Sequence, residues 1–68
     1  MSTFPERLRS LREARGLPCA TLSELCGLYE HAFRRYERGE AIPSAEVLCI
    51  IADEFGVSMD YLWGRSEK

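Results

Sequence analysis

Little in this sequence supports a disulfide framework, a membrane span or a catalytic centre. Among its 68 residues are three cysteines, an odd number at irregular spacing, whereas an extracellular domain this small usually carries an even set. A reducing, cytoplasmic setting is expected. No apolar run approaches the roughly 20 residues of a membrane span, and Met1-Ser2-Thr3-Phe4-Pro5-Glu6 lacks the apolar centre of a signal peptide. The expectation is a soluble chain with no membrane partner. One histidine and three cysteines match no common zinc spacing, and a helix would hold Cys19 and Cys26 roughly 10 Å apart. No metal and no cofactor are expected. No serine, cysteine or carboxylate pair has a recognisable base partner, and so short a chain cannot enclose a pocket of several hundred cubic ångströms. An enzyme acting on a small-molecule substrate is excluded on that reading.

Positive charge is missing from one half. Residues 40–64 hold Glu40, Glu46, Asp53, Glu54 and Asp60 with no cation, whereas Arg7, Arg9, Arg12 and Arg15 outnumber Glu6 and Glu13 in residues 1–16, and Arg34, Arg35 and Arg38 outnumber Glu30 and Glu37 in residues 29–39. The formal net charge of −2 and pI of 5.3 argue weakly against a nucleic-acid partner. Their distribution argues the other way, because the field that matters is local on the scale of a Debye length.

Strand patterning, repeats and low-complexity segments are also absent, and all five glycines fall where a helix would end. Phe4, Leu8, Leu11 and Ala14 recur at helical spacing, Thr3 with Glu6 resembles a capping box, Pro5 falls in the permissive first turn and Gly16 stops the helix. The first helix is expected over about 4–15. A second, over about 19–26, carries Leu22, Leu25 and Cys26 before Gly27; Thr21 with Glu24 offers an alternative start two residues later. A third, over about 30–38, ends at Gly39. Ser44 then caps a helix bearing Val47, Leu48, Ile51, Ala52 and Phe55 on one face, closed by Gly56, and Ser58 caps a last turn from Met59 to Trp63. Residues 4–64 form one all-α domain, with 1–3 and 65–68 as flexible termini.

The third helix is too short to stand alone, since isolated helices below roughly 12 to 15 residues are marginal in water. It must be packed on a scaffold. Phe33 and Tyr36 lie on one side for that purpose and the arginines lie on the other.

Five short helices, the second and third joined through Gly27-Leu28, fit a helix-turn-helix inside a compact five-helix bundle. Phe4-Pro5-Glu6-Arg7-Leu8-Arg9-Ser10-Leu11-Arg12-Glu13-Ala14-Arg15-Gly16-Leu17, Tyr36-Glu37-Arg38-Gly39-Glu40, Ile42-Pro43-Ser44 and Phe55-Gly56-Val57-Ser58-Met59-Asp60-Tyr61-Leu62 closely resemble the phage repressor and Cro helix-turn-helix family, also called the XRE family. The resemblance covers residues 4–64. It implies a lambda-repressor-like domain that binds double-stranded DNA in a sequence-specific manner, as a small standalone transcriptional regulator of the repressor kind, with the third helix in the major groove.

The resemblance assigns base contacts to Glu30, His31 and Arg35, with Arg34 in reach of backbone or base. Arg35 is the leading candidate, because its planar fork can donate twice to guanine. Glu30 at a helix N-terminus could instead stabilise the helix dipole, and exposed arginines or a surface histidine could simply be solvated. Arg9, Arg38 and the loop from Glu40 to Ile42 are candidates for phosphate contact, with Glu40 working against that role. Arg12 and Glu37 lie where the family often places an ion pair that fixes the angle of the recognition helix.

Departures from the family pattern cluster around the same helix. Cys19 and Tyr29 take positions where the family meets phosphate or caps the helix, but Pro18-Cys19 replaces a polar cap followed by glutamine, and Tyr29 replaces a capping serine or threonine. Ser23 and Cys26 replace an alanine and a leucine, while Leu25 and Ile50 occupy usually polar positions. Either the second helix is slightly rotated or there is an extra apolar surface. Operators read by this family are commonly two-fold, so a homodimer is implied, with Ile50, Met59, Tyr61 and Trp63 as candidate dimer contacts. Cys19, Tyr29, Glu30 and the acidic second half motivate the rival expectation: a protein-interaction module that keeps the fold with weak or no DNA binding.

Overall fold

Thr3 opens the first of five helices in the computed structural model, which describes residues 3–67. These are α1 (Phe4–Arg15), α2 (Cys19–Leu25), α3 (Ala32–Glu37), α4 (Ala45–Phe55) and α5 (Met59–Trp63), with no strand among the described residues. Local chemistry sets most of the boundaries. The Glu6 carboxylate accepts from the Thr3 backbone N–H at 3.0 Å and from its hydroxyl at 2.8 Å, satisfying donors that α1 leaves unpaired. Ser44 Oγ accepts from the Val47 N–H and Ser58 Oγ from the Tyr61 N–H. α2 starts at Cys19 behind Pro18, so the alternative start at Thr21 is not used.

Each helix contributes one large apolar side chain with no exposed surface: Leu8, Leu22, Phe33, Ile51 and Leu62. Full burial of such a side chain is worth about 1.5–3 kcal/mol. This shared centre holds helices that are individually too short to persist. Phe4 extends it between the rings of Tyr36 and Trp63, and Phe33 packs on Phe55. α3 lies against both α1 and α2, and α5 closes the bundle against α1 and α4.

Two expectations change here. Arg7 does not belong to an exposed basic half. It is buried, with Nη1 donating to the Tyr61 carbonyl at 3.1 Å and the Ser66 carbonyl at 2.6 Å, Nη2 reaching Glu67 at 3.3 Å, and the guanidinium 4.2 Å above the Tyr61 ring. Ser66 and Glu67, expected in a flexible tail, are therefore engaged by α1; Met1, Ser2 and Lys68 lie outside the described residues. The second change concerns α3, which spans Ala32–Glu37 and not 30–38. Tyr29 offers no short side-chain oxygen to cap a helix beginning at residue 30. Its carbonyl accepts from the Ala32 N–H in a tight turn, and His31 takes φ −97° and ψ 8°, which delays the helix by two residues.

Candidate nucleic-acid interface

The turn between α2 and α3 is built around Gly27. Its φ of +72° lies in the left-handed region that side chains disfavour. In that conformation its N–H bonds the Glu24 carbonyl at 2.9 Å and the Leu28 N–H bonds the Ser23 carbonyl at 2.8 Å, the paired bonds that close a helix at a left-handed residue. The chain is thereby turned so that α3 crosses α2. Ser23, fully buried on α2, then accepts the Phe33 backbone N–H at 3.0 Å through its hydroxyl. A side chain from the neighbouring helix thus supplies the cap that Tyr29 does not.

Helical periodicity sorts the six residues of α3 into two faces. Ala32, Phe33, Tyr36 and Glu37 are buried, while Arg34 and Arg35, together with Arg38 just beyond the helix, are exposed. Glu37 is the only carboxylate on the buried face, its side chain 4% exposed. Arg12 reaches it with two bonds, Nε to Oε2 at 2.6 Å and Nη2 to Oε1 at 3.0 Å, and uses Nη1 on the Leu17 carbonyl at 3.1 Å. These bonds raise the Arg12 guanidinium above its ordinary pKa. Arg9 lies 3.6 Å from the same carboxylate, and the Cys19 thiol donates to it at 3.5 Å. Burial together with the Glu37 charge pushes the Cys19 thiol up. The residue expected at a phosphate-contact position therefore turns its sulfur towards the buried carboxylate.

Outside the buried face the side chains differ in how they are held. Arg35 Nη1 donates to the Tyr29 hydroxyl at 3.1 Å, which raises the Arg35 pKa, and Arg35 Nε stands 3.9 Å from Glu40. Arg38 Nε stands 3.4 Å from the other Glu40 oxygen. Glu30 and His31, placed in the turn ahead of α3, face each other at 3.7 Å. Glu30 is thus outside the first turn of the helix whose dipole it was expected to stabilise. Arg34 is exposed and pairs with no described residue.

The candidate dimer residues separate in the same way. Ile50, Met59 and Trp63 are exposed, while Tyr61 is half-buried beneath Arg7. Leu25 is exposed as well, so the buried face of α2 is carried by Leu22, Ser23 and Cys26. Ile42, expected only as part of a phosphate-contact loop, is 79% exposed and lines a shallow groove with Leu48, Met59 and Trp63, an apolar surface that the sequence did not reveal. An isolated isoleucine in a Gly39–Pro43 loop has no periodicity from which a face could be read. No group of three or more metal-ligating side chains occurs among the described residues, and no described helix is long and apolar enough to cross a membrane.

Residues 4–62 match the family model of a helix-turn-helix domain. Over 60 residues the chain is 37% identical to the cryptic phage CTXphi transcriptional repressor RstR of Vibrio cholerae, a match that covers 88% of this chain and 54% of that protein. It is 32% identical over 63 residues to the HTH-type transcriptional regulator AnsR of Bacillus subtilis, covering 93% of this chain and 54% of the relative. The chain thus spans a little over half the length of these curated relatives. Its fold superposes on the P22 c2 repressor protein solved in complex with synthetic operator 9T, with a TM-score of 0.88 and 27% identity over 97% of this chain and all of that one. The solution structure of the P22 c2 repressor DNA-binding domain gives a TM-score of 0.82 at 29% identity, covering 98% of this chain and 91% of that one.

Proposed function

Because the chain belongs to the helix-turn-helix domain family, in its phage-repressor-like branch, we propose that residues 4–64 bind double-stranded DNA in a sequence-specific manner, as a cytoplasmic transcriptional regulator acting as a repressor. α3 and the turn before it enter the major groove. Arg35 donates to a guanine edge, Glu30 and His31 meet neighbouring base edges, and Arg34 meets a base or a phosphate. Arg9, Arg38 and the backbone around Cys19 and Tyr29 follow the phosphates, since flanking elements set register while the recognition helix reads sequence.

The observation that carries this reading is the division of α3, with Phe33, Tyr36 and Glu37 locked inward and Arg34, Arg35 and Arg38 left outward on a helix of fixed angle. The fold shared with the operator-bound P22 c2 repressor supports it. The protein acts as a homodimer on two-fold sites, through the exposed apolar surface of Ile50, Met59 and Trp63, with Tyr61 at its edge and recognition helices roughly 34–36 Å apart.

Arg9 and Arg38 already have carboxylate neighbours in Glu37 and Glu40, and this favours the competing reading of a protein-interaction module. The Arg38–Glu40 pair is solvent-exposed and worth only about 0–1 kcal/mol, and Arg9 is itself exposed while the buried Glu37 keeps its two bonds from Arg12, so phosphate can take over both arginines at small cost. Selection from a random-sequence duplex pool tests the choice. Enrichment of a two-fold motif is the expected result, and a pool that stays random after repeated rounds would leave the interaction module as the function.

A further inference from the structure

Two arginines stand side by side on the outer face of α3, and only one of them is held. Arg35 is met from both ends of the helix: Tyr29, in the turn before α3, offers its hydroxyl to Nη1 at 3.1 Å, and Glu40, just after it, sets one carboxylate oxygen 3.9 Å from Nε, a charge contact longer than a hydrogen bond, and its other oxygen 3.4 Å from Arg38 Nε. Both tethers are anchored to the helix by backbone bonds, the Tyr29 carbonyl accepting from Ala32 at 3.0 Å and the Glu40 N–H donating to the Arg35 carbonyl at 2.9 Å. Tyr29 is available for this because Ser23 performs the capping. Arg35 Nη2 donates to no described residue, so its N–H groups remain for a base edge. Arg34 has no comparable tether.

Fixing a free arginine costs rotamer entropy at the moment of binding, and a side chain already held in one orientation avoids much of that loss. The orientation also matters for selectivity, because bidentate recognition of guanine requires the plane of the fork to match the base edge. From this asymmetry we propose that Tyr29 and Glu40 are positioning residues that pre-set Arg35 for reading one base pair, leaving Arg34 as the adaptable contact. The inference rests on the DNA-binding reading above. Glu40 carries a negative charge near the phosphates as part of the device, so it lowers overall affinity while sharpening choice.

The probe is the duplex pool described above, together with the duplex that the wild-type protein enriches from it. Tyr29→Phe is expected to lose about 3- to 10-fold discrimination at one base pair, the scale of one hydrogen bond, so that its loss on the selected duplex exceeds its loss on random duplex. In an Arg35→Ala background the same change should cost no further discrimination. Glu40→Gln is expected to bind every duplex more tightly while discriminating less. In the DNA-free protein, the heteronuclear NOE of the Arg35 Nε–H should exceed that of Arg34 and fall to its level in Tyr29→Phe. Equal losses on random and selected duplex, a discrimination loss that persists without Arg35, or equal NOEs for the two wild-type arginines would each overturn the positioning role. If no motif is enriched although the NOE difference is present, the DNA-binding reading has failed and the readout assigned to Arg35 falls with it.

Discussion

Ser23 Oγ on α2 accepts the backbone N–H of Phe33 on α3 at 3.0 Å in a site with no exposed surface. Two departures from the family pattern, a serine in place of a small apolar residue and a tyrosine in place of a cap, thereby compensate each other. The Phe33 N–H, the second helical donor of α3, is satisfied across the helix-helix contact, while the first, on Ala32, bonds the Tyr29 carbonyl ahead of the helix.

Ser23→Ala should therefore destabilise the domain by about 1–3 kcal/mol, the cost of stranding a buried donor. Urea unfolding measures it. The loss should shrink in a Tyr29→Ser background, where a local cap lets the helix start earlier and gives Phe33 a backbone acceptor; strictly additive losses would separate the two residues.

Glu37 on α3 is buried beneath two bonds from Arg12 of α1. Removing one partner from a buried pair leaves the other charge desolvated. Arg12→Ala is expected to cost about 2–4 kcal/mol, discounted for the partial exposure of Arg12, which in a domain of this size lowers Tm by about 10 °C or more. Glu37→Gln with Arg12→Met should recover part of the loss, as a thermal melt would show.

The Glu6 carboxyl is held below its ordinary value of 4.5, first by the Thr3 backbone N–H and then by the Thr3 hydroxyl. A carboxyl whose pKa is lower in the folded state stabilises the fold above its unfolded pKa and loses that contribution as pH falls through the folded value. Tm should therefore fall on acidification below about pH 4.5, and Glu6→Gln should show a shallower fall over the same window. Matching profiles would mean that Glu6 carries none of the acid sensitivity.

The three cysteines should label in a fixed order. Cys49 is exposed, whereas Cys19 is half-buried and Cys26 buried, and burial pushes both of the latter thiols up. Because the thiolate is the reactive form, a maleimide or disulfide reagent near neutral pH should modify Cys49 first and Cys26 last, read by peptide mass mapping.

Much of this fold is legible in residue order because its boundaries are chemically local. Thr3, Ser44, Ser58 and the glycines after each helix act within a few residues, and four of the five helices begin and end close to where those signals fall. What was hidden depends on contacts across the chain. The cap on Phe33 comes from Ser23, ten positions earlier; Arg7 looks like any surface arginine until Tyr61 and Ser66 are brought to it; and the tie between Tyr29 and Arg35 spans the turn and the helix start. Charge counting cannot separate a buried arginine from an exposed one, and periodicity cannot place an isolated Ile42.

Salt dependence of duplex binding is the most direct test of whether the outer face of α3 meets DNA. Phosphate contact releases counterions, so log K should fall linearly with log salt at about 0.9 per phosphate neutralised, and Arg34→Ala or Arg38→Ala should each reduce the slope if its arginine meets a phosphate, by about 1. An affinity that stays flat as salt is raised, in the wild-type protein and in both variants alike, would contradict DNA binding by this face.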